Sequence, residues 1–332
     1  MKPSLPITTL LAAAACGATR TSPPPIRNIY TFPPNTFIEN IAVRSNSHLL
    51  LTSMSVPDLY TLNPLLSSPT PSIVHTFPNA SGISGIAEVT PDLFAVITAV
   101  WDLAATRALP GTLAVWTVSL ATNPPTVRFV TSVPESPILN GLTRHPTNSR
   151  YLLAADSALG ALWRVDLATG GKEIVFQDAL LTPTGTVPGT HLGINGLRSD
   201  LGGKHVYFTN SARKFLGRVE VDGKGGVKGG VQVLANSKAA GADVVYDDLA
   251  LDVGRGVVWV ASHPSYAVKV MLGGPGVARQ EVLNHTVRLL NPTSAAFGRG
   301  GRKQERTLYV TNGGEFVGLD LMNEGVVALD LS

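Results

Sequence analysis

The chain is poor in cysteine. Cys16 is the single one in 332 residues, and it falls in a segment that reads as a secretory signal, so the mature protein is expected to carry no thiol. That excludes disulfides, cysteine zinc sites and a cysteine nucleophile. Charge is also sparse. Asp, Glu, Lys and Arg make up 15% of the chain, and the net charge of +3 is not gathered into a basic stripe, so a nucleic-acid footprint is excluded. Nothing in the charge pattern points to a protein partner. No apolar run is long enough to span a membrane. There is no HExxH, no phosphate-binding loop and no Ser-His-Asp order. The seven histidines are scattered; His145 and His205 sit in or beside hairpin turns and read as surface residues.

What the chain does have is one sentence written six times. Its clearest copy runs Gly193-Ile194-Asn195-Gly196-Leu197-Arg198, turns through a Gly-rich segment at 200–203, and returns as Val206-Tyr207-Phe208-Thr209-Asn210. A polar residue heads a short strand, a turn follows, and a β-branched and aromatic strand closes the hairpin. The other copies span residues 39–53, 84–98, 140–157, 247–262 and 292–312. Their starts lie about 45 to 55 residues apart, the spacing of propellers and related arrays. Third strands follow at 113–118, 161–166, 217–221 and 326–330, and fourth strands at 72–77, 127–130, 173–176 and 231–234. Four antiparallel strands per repeat and six repeats specify an all-β, six-bladed β-propeller.

The sixth repeat has no fourth strand, because the given chain stops at Ser332. Residues 27–33 resemble the fourth-strand segment at 73–78, so the N-terminal strand is expected to complete the last blade. Residues 29–32 should then pair with 326–329 and remove an exposed sheet edge. The expected organisation is a signal peptide at 1–18, a Pro-rich spacer at 19–25 and one propeller domain at 26–332. The signal rests on Lys2, the apolar stretch 10–15 and the small residues at 16–18. With it, the acceptor motifs at Asn79 and Asn284 point to N-glycosylation and the secretory pathway.

Chemistry is expected where the inner strands begin. Glu39, Asn140, Asn195 and the pair Asp247/Asp248 head inner strands and should converge at one end of the channel. Their oxygens suit Ca²⁺ or Mg²⁺; alternatively they bond one another, the backbone or channel water. The loops joining second to third strands share that end and carry Trp101, Phe215, Tyr266 and Phe316. An aromatic rim there, with the loop 182–191, would suit a large apolar small molecule.

These residues resemble a known family. Residues 37–43 around Glu39, Leu139-Asn140-Gly141-Leu142-Thr143, Asn195-Gly196-Leu197 and Asp247 or Asp248 look like the motifs of the senescence-marker-protein, gluconolactonase and luciferin-regenerating-enzyme-like propellers. The resemblance covers nearly the whole mature chain. It implies that these Glu, Asn and Asp positions hold a divalent metal, with the Asp as base for water in a lactonase. Two departures stand out: Asn40-Ile41 replace the small residues that usually follow the Glu, and both Asp247 and Asp248 fit the fifth-blade register. The secretory signal, the glycosylation motifs and residues 292–298 resemble the fungal secreted branch of this group. That branch includes hetero-Diels–Alderases joining a tropolone-derived quinone methide to the terpene humulenol. This resemblance implies a pericyclase that needs no cofactor and works through a shaped apolar pocket, with Arg107, Arg213, His191, His263 and Tyr266 as candidate hydrogen-bond donors. A metal-dependent lactonase and a non-catalytic ligand-binding propeller remain the alternatives.

Overall fold

Aliphatic and β-branched runs bounded by turns make every repeat a sheet, and nearly every middle strand is apolar on both faces. The strand Leu49–Ser53 shows the consequence. Leu49 and Leu51 pack toward the last blade, with Ile29, Tyr309 and Val326. Leu50 points the other way, to Ile83, Phe94 and Val96 of the second blade. Alternate residues of one strand therefore serve two different interfaces, which is why these strands read as unbroken hydrophobic runs. Among the described residues six apolar clusters result, one between each pair of neighbouring blades.

The computed structural model describes residues 24–187, 190–240, 243–273, 279–284 and 289–331. The expected signal peptide, most of the spacer, and His285 and Thr286 of the second acceptor motif lie outside these residues. Six four-stranded antiparallel sheets form the blades. Their inner strands are Ile38–Val43, Gly82–Thr90, Leu139–Arg144, Ile194–Ser199, Val245–Asp252 and Pro292–Phe297. Among the described residues the only helices are two short 3₁₀ turns, Ser237–Ala240 and Gln304–Arg306. None is long and apolar enough to cross a membrane.

The ring closes through the N-terminal strand. Ile26–Thr31 pairs antiparallel with Gly325–Asp330, in the register Ile26 with Leu329, Asn28 with Val327 and Thr31 with Gly325. The pairing begins a few residues earlier than the expected 29–32. Ile29 and Phe32 are buried in the cluster between the last and first blades, so the closure is packed like the other interfaces.

Two second-to-third-strand connections fold beyond the sequence reading. Trp101–Asp102 pairs with Arg107–Ala108, and Glu315–Val317 pairs with Asp320–Met322. His145 also differs from expectation. It lies beside a turn but is 1% exposed. Its Nε2 faces the Asp222 carbonyl at 2.6 Å, and its Nδ1 accepts the Asn148 N–H at 3.1 Å. A ring that satisfies backbone groups from two turns at once is a buried tie.

Removing residues 24–31 exposes the edge of Gly325–Asp330 and the apolar side chains behind it. The truncated chain is expected to lose the cooperative melt of the full one. Ile29→Ala should cost about 2–5 kcal/mol, the range for truncating a buried aliphatic side chain. Thermal melts followed by circular dichroism check both; an unchanged melting temperature in the truncated chain would contradict closure by this strand.

Candidate functional site

Every inner strand breaks its ladder at the same place. The register shifts fall between Ile38 and Ile41, Ile83 and Ile86, Leu139 and Leu142, Ile194 and Leu197, Tyr246 and Leu249, and Pro292 and Ser294. Each is a bulge, in which the inner strand uses an extra residue opposite its neighbour. Consecutive residues such as Glu39 and Asn40, or Asp247 and Asp248, can then both reach the channel. The first of each pair forms an upper row and the second a lower row.

The upper row opens into a cavity of about 270 Å³. Phe37, Met54, Ile138, Leu192 and Val245 supply apolar walls, and Thr106 reaches in from the hairpin beside Trp101. Glu39, Asn140, Asn195, Asp247, Ser211 and His263 supply the polar groups. The four expected inner-strand heads thus meet at one cavity. Asp247 is held on both oxygens. Asn195 Nδ2 donates to Oδ1 at 2.8 Å, and His263 Nε2 lies 2.8 Å from Oδ2. Asn195 Nδ2 also donates to Ser211 Oγ at 2.8 Å. Asn195 Oδ1 is buried and, among the described residues, has no hydrogen-bond partner.

The lower row closes the channel. Asp248 Oδ2 accepts from Asn40 Nδ2 at 3.0 Å and from the Ser294 hydroxyl at 2.8 Å. Arg198 reaches across from the fourth blade to pair with the same oxygen at 2.8 Å. Asn40 therefore fills the throat and ties the first blade to the fifth. In the third and fourth blades the equivalent position is glycine, because the strands touch there. A Cβ on Gly141 would lie 2.2 Å from the Asn195 carbonyl oxygen, and one on Gly196 would lie 2.2 Å from Asp248 Oδ1. The two aspartates thus separate: Asp247 faces the cavity with His263, and Asp248 faces the throat with Arg198.

The other expected site residues are placed elsewhere. Trp101 is buried in the cluster between the second and third blades. Phe215 is buried between the third and fourth, edge-on to Phe208 at 5.9 Å. Tyr266 packs at the border of the cluster between the fourth and fifth. Phe316 is 77% exposed on its hairpin. Among the described residues none of these four lines the cavity. Arg107 is exposed on the hairpin opposite Asp102. Arg213 donates to the Thr182 carbonyl at 3.0 Å. His191 Nδ1 lies 3.2 Å from the Val187 carbonyl. Of the candidate donors, His263 alone joins the cavity lining. Asn79 is exposed in a turn with φ of 61°, and Asn284 ends the outer strand of the fifth blade. The apolar walls went unread in the sequence, although a signal was there: Phe37, Ile138 and Val245 each stand two residues before Glu39, Asn140 and Asp247, the side-chain repeat of an extended chain.

Burial, together with the charges of Asp247 and Asp248, holds the Glu39 carboxyl well above the usual carboxylate range. Burial also raises Asp248, and the Arg198 charge opposes that rise. A carboxyl raised in the folded state costs nothing at low pH, where it is protonated folded and unfolded alike. It destabilises as pH climbs past the unfolded pKa toward the folded one. Glu39→Gln removes this cost without removing a paired cation. The variant, melted in chelator, is expected to exceed the wild type at neutral pH, with the gap closing as pH falls toward about 4, the ordinary carboxyl value. A gap independent of pH would contradict the assignment.

The chain matches no family model. It is 27% identical over 337 aligned positions to "Putative hetero-Diels-Alderase asR5" of Sarocladium schorii, spanning 91% of this chain and 81% of that protein. It is 26% identical over 315 positions to a Phoma sp. protein of the same designation, spanning 88% and 87%. Among solved structures, luciferin-regenerating enzyme superposes with a TM-score of 0.64 at 16% identity, over 92% of this chain and 95% of that one. The calcium-binding protein regucalcin from Agrobacterium tumefaciens gives 0.61 at 17% identity, over 90% and 91%. In sequence, therefore, the chain resembles these two relatives along most of its length, and in fold it is a six-bladed propeller like luciferin-regenerating enzyme and regucalcin.

Proposed function

We propose that the protein is a hetero-Diels–Alderase that joins an α,β-unsaturated carbonyl heterodiene, of the tropolone quinone-methide kind, to an alkene of a humulene-type terpene. The observation that carries this reading is an apolar-walled cavity in which one imidazole, His263, is fixed by Asp247. The names of the two relatives support it. In the reaction three π bonds become one π bond and two σ bonds, one C–C and one C–O. No atom leaves and no net proton moves, so no cofactor is required. Holding the partners in reactive contact can supply much of the barrier reduction.

The cavity, at about 270 Å³, is slightly below the usual range for small-molecule sites of roughly 300–1,000 Å³. It seats one partner's reactive end, and the rest packs over the mouth. The loops on that end carry exposed apolar residues: Phe316, Val317 and Leu319, the last 98% exposed, on one hairpin, and Leu103 and Leu109 at another. Because the Asp247 carboxylate faces Nε2, that nitrogen carries a proton and Nδ1 is left for a ligand. A protonated ring donates from Nδ1 to the heterodiene oxygen, where charge develops in the transition state. A neutral ring accepts from a substrate hydroxyl and orients it.

A second reading, a metal-dependent lactonase, is favoured by one observation: the unpartnered Asn195 Oδ1 beside Glu39 and Asp247. Glu39, Asn140, Asn195 and Asp247 would hold Ca²⁺ or Mg²⁺ through hard oxygen donors. Such an ion would polarise a lactone carbonyl and activate water. In this reading Asp247 keeps both present partners and meets the ion through a remaining lone pair. A non-catalytic binding protein is the third outcome.

The deciding experiment assays His263→Ala, Phe37→Ala, Leu192→Ala and Glu39→Gln on a quinone methide with a humulene-type alkene, and on aldonolactones with added Ca²⁺. The first three are expected to lower the cycloaddition rate about 10- to 100-fold, with Glu39→Gln lowering it less. A lactonase gives the reverse, with Glu39→Gln inactive on lactones and the wall variants active. Binding without turnover of either substrate identifies the third reading. Trp101→Ala and Phe215→Ala should act through stability, by about 3–5 kcal/mol. We also place the protein in the secretory pathway, with Asn79 glycosylated; treatment of the native protein with an N-glycosidase should lower its mass.

A further inference from the structure

Below the throat the channel opens again, at the end of the ring opposite the cavity, into a recess of about 200 Å³. Ala42 and Ala87 leave the space there, and Arg144, Arg198, Arg299 and Glu88 line it. The charges around it do not balance. Arg198 pairs with Asp248 at 2.8 Å, Arg299 with Glu88 at 2.5 Å, and neighbouring Arg44 with Asp92 at 2.8 Å. Arg144 donates from Nη1 to the Val89 carbonyl at 2.9 Å. Among the described residues it has no carboxylate partner, and its buried Nε has no hydrogen-bond acceptor. Four guanidiniums thus face three carboxylates. A guanidinium with an unmade buried N–H is a standing electrostatic cost.

We propose that this recess binds a small monocarboxylate, with its carboxylate on Arg144 and its short apolar tail against Ala42, Ala87 and Ile86. Arg144 Nη2 can take a carboxylate oxygen in a charge-assisted hydrogen bond while Nη1 keeps the Val89 bond. One uncompensated cation calls for one negative charge, which favours a carboxylate over phosphate. The size of the recess limits the tail to a few carbons, and its aliphatic lining gives each added methylene a favourable contact. The site is independent of the reaction in the upper cavity, because Arg198, Asp248, Asn40 and Ser294 close the throat between them.

The test follows arginine Nε–Hε resonances by NMR while acetate, butyrate, chloride or inorganic phosphate is added at constant ionic strength. Arg144→Lys assigns the Arg144 signal by its disappearance. Butyrate is expected to shift that signal saturably and to bind several-fold more tightly than acetate; chloride should not shift it. Arg144→Met should abolish the saturable response of the remaining signals, and Arg144→Lys should weaken it, because a compact ammonium does not reproduce the planar guanidinium donors. If Arg144→Met fails to fold, the wild-type titration decides alone. The proposal is overturned if butyrate moves Arg144 no more than chloride, if phosphate moves it as much as butyrate, or if the response survives in Arg144→Met.

Discussion

The bulge repeated in all six inner strands is the constraint on which the rest of this structure depends. It takes backbone N–H and C=O groups out of the ladder where the blades crowd together and water is scarce. Such groups need partners. Side-chain hydroxyls provide them, and they do so between blades. Thr52 donates to the Ser84 carbonyl and Ser84 to that of Leu139. Ser157 donates to Ile194 and Ser211 to Tyr246. Thr209 bonds the Asp247 carbonyl, and Thr293 donates to Ile38. Between the fifth and sixth blades the link is Asp248 with Ser294. The blades are therefore held at the axis by directed hydrogen bonds and further out by non-directional apolar clusters.

The same bulge creates the site. Turning two consecutive residues toward the channel lets one row open to a cavity and the next close a throat. Acidic groups in both rows then lie close enough to affect one another, and Glu39 is held protonated beyond the usual range by burial and by both aspartates. Arg198 keeps the throat aspartate tolerable, at the cost of stretching one long side chain across the channel. It contacts Ser294 and Asn40 as well as Asp248, so the throat is a network in which each member satisfies several others.

The ring, its six repeats and its closure by Ile26–Thr31 were legible because strand pairing leaves a periodic trace. The convergence of Glu39, Asn140, Asn195 and Asp247 was legible because polar residues stood at one fixed place in the repeat. The choice between Asp247 and Asp248 was not, since a bulge makes both registers partly right. The aromatic residues were harder still. In a sheet buried on both faces, loop position does not say whether a ring turns outward or into the next interface, and Trp101 and Phe215 turn into interfaces. His145 reads as a surface residue because turns are usually exposed; its burial follows from a neighbouring blade whose Asp222 carbonyl needed a partner.

Asp247 is where the two enzymatic readings meet. As a base for water it must present a lone pair to the cavity. In this structure Asn195 and His263 take one oxygen each. Each oxygen keeps a further lone pair, so an ion or a water can meet Asp247 with the imidazole still in place. For cycloaddition the existing bonds are what the chemistry uses. The carboxylate fixes one ring nitrogen, leaves the other for the substrate, and needs no free oxygen of its own. Preorganised donors in a site screened from water are worth more than the same donors in solution. The apolar walls from Phe37, Met54, Ile138, Leu192 and Val245 around one oriented imidazole, and not any shortage of carboxylate lone pairs, are therefore what favours the proposed cycloaddition over lactone hydrolysis.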